Sequence, residues 1–203
     1  MKTLLLTGGS SGIGLHTVQL FAEKGWTVFE LSRSGKSNQD VTHIDCDVTD
    51  DVSVKQAISE VMQRIDHLDV VINNAGFGIS GPIEYTSTTE AQKQFDVNFF
   101  GAFRLTKAVL PILRKQGRGR IIFTSSVAAD LSIPYQSFYS ASKSALNAMA
   151  LALANEVREF GIRVSILMPG DVATGFTDAR EKNIHGAEVY KGVHTAVAAM
   201  EKD

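Results

Sequence analysis

Cysteine is nearly absent from this chain: Cys46 is the only one in 203 residues. A single thiol excludes an internal disulfide, and the expectation is a reducing compartment. Proline is equally sparse, at four, too few for a rigid proline-rich linker. Charge of one sign is missing too, with 20 Lys and Arg against 22 Asp and Glu and a formal net charge of -2. That supplies no electrostatic case for nucleic acid or an anionic membrane surface. No apolar run approaches the roughly 20 residues of a membrane span. The apolar residues after Met1-Lys2-Thr3 are too few for a signal-peptide core. The expectation is a soluble, cytoplasmic protein with neither nucleic acid nor membrane as partner. Histidines 16, 43, 67, 185 and 194 are scattered. His43 lies near Asp45, Cys46 and Asp47, but no second histidine has ligand spacing, so no metal site is expected.

What is present is an ordinary globular composition, 44% hydrophobic and 21% charged, sized for a single domain spanning 1–203. Residues 3–7 (TLLLT) form a continuous apolar run, as in a central parallel strand buried on both faces. Gly8-Gly-Ser-Ser-Gly12-Ile-Gly14 follows, and then a helical pattern with Ile13, Val18, Leu20 and Phe21 on its apolar side. A strand, a glycine turn and a helix in that order suit a phosphate. The glycines let the backbone come close, and the helix N-terminus offers free N–H groups and a positive dipole end. The spacing is G-x-x-x-G-x-G.

Residues 26–31 read as a second strand, ending at Ser32-Arg33-Ser34-Gly35. In a dinucleotide fold an acid at the end of this strand binds the adenosine ribose hydroxyls, while an arginine accommodates a 2′-phosphate. Glu30 lies inside the strand, where it does not suit that role. Arg33 therefore favours NADP(H), with NAD(H) possible. Residues 41–44 are a short third strand, and Thr49-Asp50 opens a helix reaching about residue 65. Residues 68–72 are the fourth strand, closing at Asn73-Asn74-Ala75-Gly76 on the sheet edge where ligands of open parallel sheets gather. Thr88 and Thr89 are candidate caps for a helix over 90–116. Asn98 falls in its apolar pattern and must find partners, as structural hydrogen-bonder or as site residue. Pro111 is expected to bend or open the last turns.

Residues 120–123 are the fifth strand, closed by Thr124-Ser125-Ser126, which either cap a turn or serve the site. The helix expected over 138–160 is apolar nearly all round, so it needs covering on more than one side. It carries Tyr139 and Lys143, one helical turn apart and on one face. A fixed ammonium beside a phenol favours the phenolate, making the tyrosine a usable proton donor or acceptor. The sixth strand is 162–167, Pro169-Gly170 opens the loop after it, and 188–202 read as a further helix. Six strands alternate with helices. The fold expected is α/β, a doubly wound parallel sheet in three α/β/α layers.

These motifs in this order resemble the short-chain dehydrogenase/reductase family, of the T-G-x-x-x-G-x-G and Y-x-x-x-K type. Thr7, Gly8, Gly12, Ile13 and Gly14 match the first motif, and 73–76 match its N-N-A-G turn. The likeness covers roughly residues 1–176 and implies a Rossmann-like fold. It places Asn98, Ser126, Tyr139 and Lys143 on the family's catalytic positions. It places the coenzyme on Gly8, Ser10, Ser11, Gly12, Ile13, Gly14, Arg33, Asp47, Val48, Asn74, Ala75, Gly76, Tyr139, Lys143, Pro169, Gly170, Val172 and Thr174. Ser11 stands where some NADP-using relatives carry a basic residue, so the preference rests on Arg33. Family members normally continue through a seventh strand, so a longer parent chain is expected.

The resemblance implies hydride transfer between NADP(H) and a carbonyl or alcohol carbon. Tyr139 would move the proton and Ser126 would hydrogen-bond the same oxygen. Lys143 would tune Tyr139 and bind the nicotinamide ribose, and Asn98 would hold a water linking Lys143 to solvent. The alternative is a catalytically silent dinucleotide-binding regulator of the same fold. Phe77, Ile79, Ile83, Leu131, Ile133 and Phe176 suggest an apolar substrate, of steroid, retinoid or lipid type. The helices carrying Asn98 and Tyr139 suggest a homodimer or homotetramer.

Overall fold

The structure is a computed structural model and describes residues 1–170, 172 and 181–193. Six parallel strands form the main sheet in the order β3 (Val41–Asp45), β2 (Thr27–Ser32), β1 (Thr3–Thr7), β4 (Val70–Asn73), β6 (Gly119–Thr124), β7 (Ile162–Leu167). The order reverses between β1 and β4, which opens a crevice at the C-terminal ends of those two strands. Alternation along β1 decides the layers. Leu4 and Leu6 pack with Val18, Val28, Val41 and Ile72 under α1 (Gly12–Glu23). Leu5 faces the other way, into a larger core beneath α2 (Asp51–Arg64), α4 (Ala102–Gln116) and α5 (Ser137–Glu156). All five β1 residues are buried, as a central parallel strand demands. The doubly wound α/β architecture expected from the sequence is the one observed.

Several boundaries differ from the expectation, each for a local reason. Ser87 caps α3 (Thr88–Phe95) in place of either threonine. Its hydroxyl accepts from Glu90 N, and the Glu90 carboxylate accepts from Ser87 N in return, a capping box. The helix expected over 90–116 is three pieces. Between α3 and α4 the chain winds as a π-helix, Asp96–Gly101. The extra residue per turn turns Asn98 and Gly101 inward, where both are buried. A Cβ at Gly101 would come within 2.8 Å of Val48 Cγ2, so only glycine lets the π turn seat on the chain after β3. Pro111 lies inside α4, which continues past it to Gln116 and stops at left-handed Gly117. The Tyr139 helix ends at Glu156, and residues 158–160 form a single 3-10 turn.

A second, two-stranded parallel sheet pairs β5 (Ile79–Ser80) with β8 (Glu181–Lys182), joining the chain after the Asn-Asn-Ala-Gly turn to the chain beyond β7. Sequence pattern gave no sign of it, because two-residue strands carry no periodicity. Most of the helix expected over 188–202 lies outside the described residues, as do Thr174 and Phe176. No described helix is long and apolar enough to cross a membrane.

Candidate active site

The glycine turn is fastened to its surroundings by two polar braces. Thr7 Oγ1 accepts from the backbone N–H groups of Asn74 (3.1 Å) and Ala75 (3.2 Å). Asn74 Nδ2 returns the bonds, donating to Thr7 O and Gly8 O, each at 3.1 Å. The tip of β1 and the turn after β4 are thus one unit straddling the crevice. Gly8 adopts φ +72°, which favours glycine. Gly14 has no room for a side chain, since a Cβ there would lie 2.1 Å from Gly8 O. Ser11 precedes α1 in extended conformation without a side-chain cap. The first-turn N–H groups of α1, at Gly12, Ile13 and Gly14, have no helical carbonyl to bond. Ser10 and Ser11 are exposed beside them. A bare backbone cradle at a helix N-terminus fits a pyrophosphate.

The coenzyme's adenosine end would lie toward β2 and β3. Arg33 is exposed there, just past the end of β2. Asp47 accepts from Thr49 N (2.9 Å) and Thr49 Oγ1 (2.7 Å). Burial works against its charge, but those bonds and the Arg33 and Arg104 guanidinium groups hold its carboxyl below the usual range. Val48 is buried under Gly101. Glu30 lies inside β2 as its place in the sequence implies, yet its carboxylate reaches out of the strand. Its Oε1 accepts from Gly9 N at 3.0 Å and its Oε2 lies 2.5 Å from His43 Nδ1. The signal available beforehand was a charge in an apolar strand, which must be paired wherever it is buried.

Across the crevice, Tyr139 and Lys143 do share one buried face of α5. Lys143 is 4% exposed and its Nζ donates to Thr124 O, the last residue of β6, at 2.7 Å. Its ammonium lies 5.8 Å from the Tyr139 ring centroid. Burial pulls the Lys143 pKa down to about 8. Ser126 begins the turn that packs on α5, and its Oγ accepts from Ala128 N at 3.1 Å. Gly76 closes the group, because a Cβ there would sit 3.2 Å from Asn98 Oδ1 and 3.5 Å from Lys143 Nζ.

Asn98 is 1% exposed and its amide is almost fully spent. Its Nδ2 donates to Phe77 O (3.0 Å) and Ser142 Oγ (3.1 Å), and its Oδ1 accepts from Phe77 N (3.0 Å). Gln94, which the sequence did not single out, donates from Nε2 to the same Phe77 carbonyl at 2.9 Å. It lies one helical turn before Asn98, a spacing that could have paired them. The loop after β7 joins the same edge through Val127 N, which donates to Pro169 O at 3.1 Å. Gly170 follows and Val172 is exposed, while Thr174 lies outside the described residues.

A doubly wound sheet with a bare glycine cradle at its switch point, and a buried Tyr–Lys pair across the crevice, defines a dinucleotide-dependent oxidoreductase. The chain belongs to the short-chain dehydrogenase family, whose model matches residues 2–185. It is similar to the 3-ketodihydrosphingosine reductase of Bacteroides thetaiotaomicron, 46% identical over 180 residues, covering 88% of this chain and 67% of the relative. It is also similar to human retinol dehydrogenase 8, 38% identical over 190 residues, covering 86% and 60%. Among solved structures, a short-chain dehydrogenase from Streptomyces avermitilis superposes with a TM-score of 0.88 at 32% identity, covering 98% of this chain and 78% of that one.

Proposed function

We propose that this oxidoreductase moves a hydride between NADP(H), in preference to NAD(H), and the carbonyl or alcohol carbon of an apolar, long-chain substrate. The observation that carries the reading is the buried Lys143 ammonium beside Tyr139, held by the carbonyl of Thr124 at the tip of β6. When bound, the nicotinamide supplies or accepts the hydride. In the direction of reduction, Tyr139 donates its hydroxyl proton to the substrate oxygen. The Lys143 charge favours the negative charge that develops on the tyrosine oxygen as the proton leaves. Ala128 N–H already fills one lone pair of Ser126 Oγ, which leaves the Ser126 hydroxyl hydrogen to donate to the same substrate oxygen. Asn98 fixes the Phe77 backbone and so the floor under Gly76. Since its amide is committed, any water it holds for Lys143 would rest on its backbone. Oxidation reverses each proton move.

The coenzyme preference rests on Arg33, an exposed guanidinium past the end of β2 where a 2′-phosphate would be met. The substrate class rests on the segments flanking the mouth. Leu131, after the Ser126 turn, is 71% exposed, and Ile83, after β5, is 63% exposed. Ile184 and Val189, on the segment after β8, are exposed as well. Tyr85 and Tyr190 meet edge to face at 6.0 Å, and Asn183 Nδ2 donates to Tyr85 O, so these two segments hold together. The names of the two relatives, 3-ketodihydrosphingosine reductase and retinol dehydrogenase 8, support an apolar substrate. Phe100 and Phe103 by α4, and Leu151 on α5, are exposed. They suit a homodimer or homotetramer built through these helices.

The test is coenzyme absorbance with a ketone series of increasing chain length, run with NADPH and with NADH. The reading expects turnover that rises with chain length and favours NADPH. Turnover confined to short polar carbonyls would overturn the substrate class, and equal use of both coenzymes would overturn the preference.

A further inference from the structure

Glu30 is a charge in the wrong company. It is 3% exposed in the strand TVFELS, between Phe29 and Leu31 of the core. An unpaired carboxylate there would be prohibitive. Both oxygens are engaged, Oε1 by Gly9 N at 3.0 Å and Oε2 by His43 Nδ1 at 2.5 Å. The chain closes over this pair from two sides. A Cβ at Gly9 would come within 2.3 Å of Glu30 Cγ. One at Gly35 would come within 2.2 Å of Glu30 Oε2 and 2.4 Å of His43 Nδ1. The glycine turn and the loop that follows Arg33 are therefore both shaped around the Glu30–His43 contact.

We propose that Glu30 and His43 are positioning residues for the coenzyme. Together they hold the glycine turn against the β2–β3 edge and make affinity for the adenosine diphosphate half depend on the charge state of the pair. This rests on the dinucleotide reading above. Glu30 cannot itself take the ribose hydroxyls, because both oxygens are spent and buried. What it does is bind the turn at Gly9, while Gly8 N, next to it, donates to Leu31 O at 2.8 Å. The same β2 segment thus fixes the turn at two consecutive amides.

A carboxylate beside a phosphate seat is favourable only while its charge is cancelled. His43 does that when protonated. The groups facing it are Glu30 from β2 and, on its own strand, Asp45, whose Oδ1 lies 3.3 Å from Nε2. The neighbouring Cys46 thiol is pushed up to about 11 by burial and stays neutral. Arg33 and Lys36 on the covering loop are exposed to solvent. Burial disfavours charge on His43, but hydrogen bonds to Glu30 and then Asp45 outweigh it and raise its pKa above 6.5. A raised histidine pKa means the ion pair is complete below the unfolded value and is lost as pH rises through the folded one. Above that, Glu30 faces the incoming phosphates uncompensated.

The experiment is calorimetric titration of the full chain with ADP-ribose across about pH 6 to 9. This probe carries no titrating phosphate monoester. Lys143 can meet its terminal ribose, but that contribution is common to the unaltered protein and Glu30→Gln, so the difference between their slopes reads the Glu30–His43 pair. For the unaltered protein the affinity should fall several-fold as pH rises. Glu30→Gln keeps an acceptor for Gly9 N without the charge. It should bind at low pH within about two-fold of the unaltered protein, with the pH dependence flattened. Glu30→Ala should bind about ten-fold more weakly at every pH. An unchanged pH slope in Glu30→Gln overturns the proposal and leaves the dinucleotide reading standing. An unaltered protein that binds neither ADP-ribose nor NADPH overturns both.

Discussion

Asn98 grips Phe77 at both ends of one peptide residue, accepting from its N–H and donating to its carbonyl, each at 3.0 Å. A side-chain amide here completes what a neighbouring strand would otherwise supply. Phe77 follows Gly76 directly, and Gly76 lies against Lys143 Nζ. The π turn that aims Asn98 inward therefore sets the position of the turn after β4 relative to Lys143.

Asn98→Ala should cost more in stability than a surface change of the same size. It strands Phe77 N, at about 1–3 kcal/mol for a group left unpaired, while Ser142 Oγ keeps Tyr139 O and Phe77 O keeps Gln94 Nε2. Thermal unfolding should show a Tm lower by several degrees. Turnover should fall even with saturating coenzyme, because Gly76 loses its anchor. A Tm and kcat equal to those of the unaltered protein would contradict this role.

Much of this was legible in the sequence, and the reasons are specific. TLLLT followed by glycines could only be a central strand meeting a turn, and the i, i+4 spacing alone put Tyr139 and Lys143 on one face. Side-chain commitments were not legible. Nothing local to Glu30 says that its partners are Gly9 and His43, which lie 21 and 13 residues away. Asn74 reads as a coenzyme contact by motif, but its amide braces Thr7 and Gly8. The π turn at 96–101 is set by packing on Val48, which no helical periodicity reports.

Lys143 carries a folding cost. Its pKa falls from 10.5 to about 8, worth about 3 kcal/mol of unfavourable burial of the charge. Between about pH 8 and 10.5 the unfolded chain keeps a proton that the folded chain has released, so this group makes stability rise with pH. Lys143→Met removes the cost but leaves Thr124 O without its donor. The variant should be inactive when given coenzyme, yet without coenzyme more stable than the unaltered protein near neutral pH, by about 1 kcal/mol. Its unfolding free energy should lack the rise above pH 8. Denaturant unfolding at several pH values checks both, and identical slopes in the two proteins would contradict the assignment.

Arg33→Ala should separate the coenzymes. Removing the exposed guanidinium proposed to meet the 2′-phosphate should raise the Kd for NADPH about ten-fold or more and leave NADH within about two-fold. Fluorescence titration with each coenzyme reads this directly. Equal losses for the two would show that Arg33 does not face the phosphate.

The proton donor is the point on which the rest turns, and Tyr139→Phe tests it most directly. The variant keeps the ring against Lys143 and deletes only the hydroxyl. Single-turnover hydride transfer from bound NADPH to a long-chain ketone should slow by about a thousand-fold or more, with the coenzyme Kd within about two-fold of the unaltered protein. A rate within about ten-fold would mean that another group delivers the proton, and the assigned chemistry would fall.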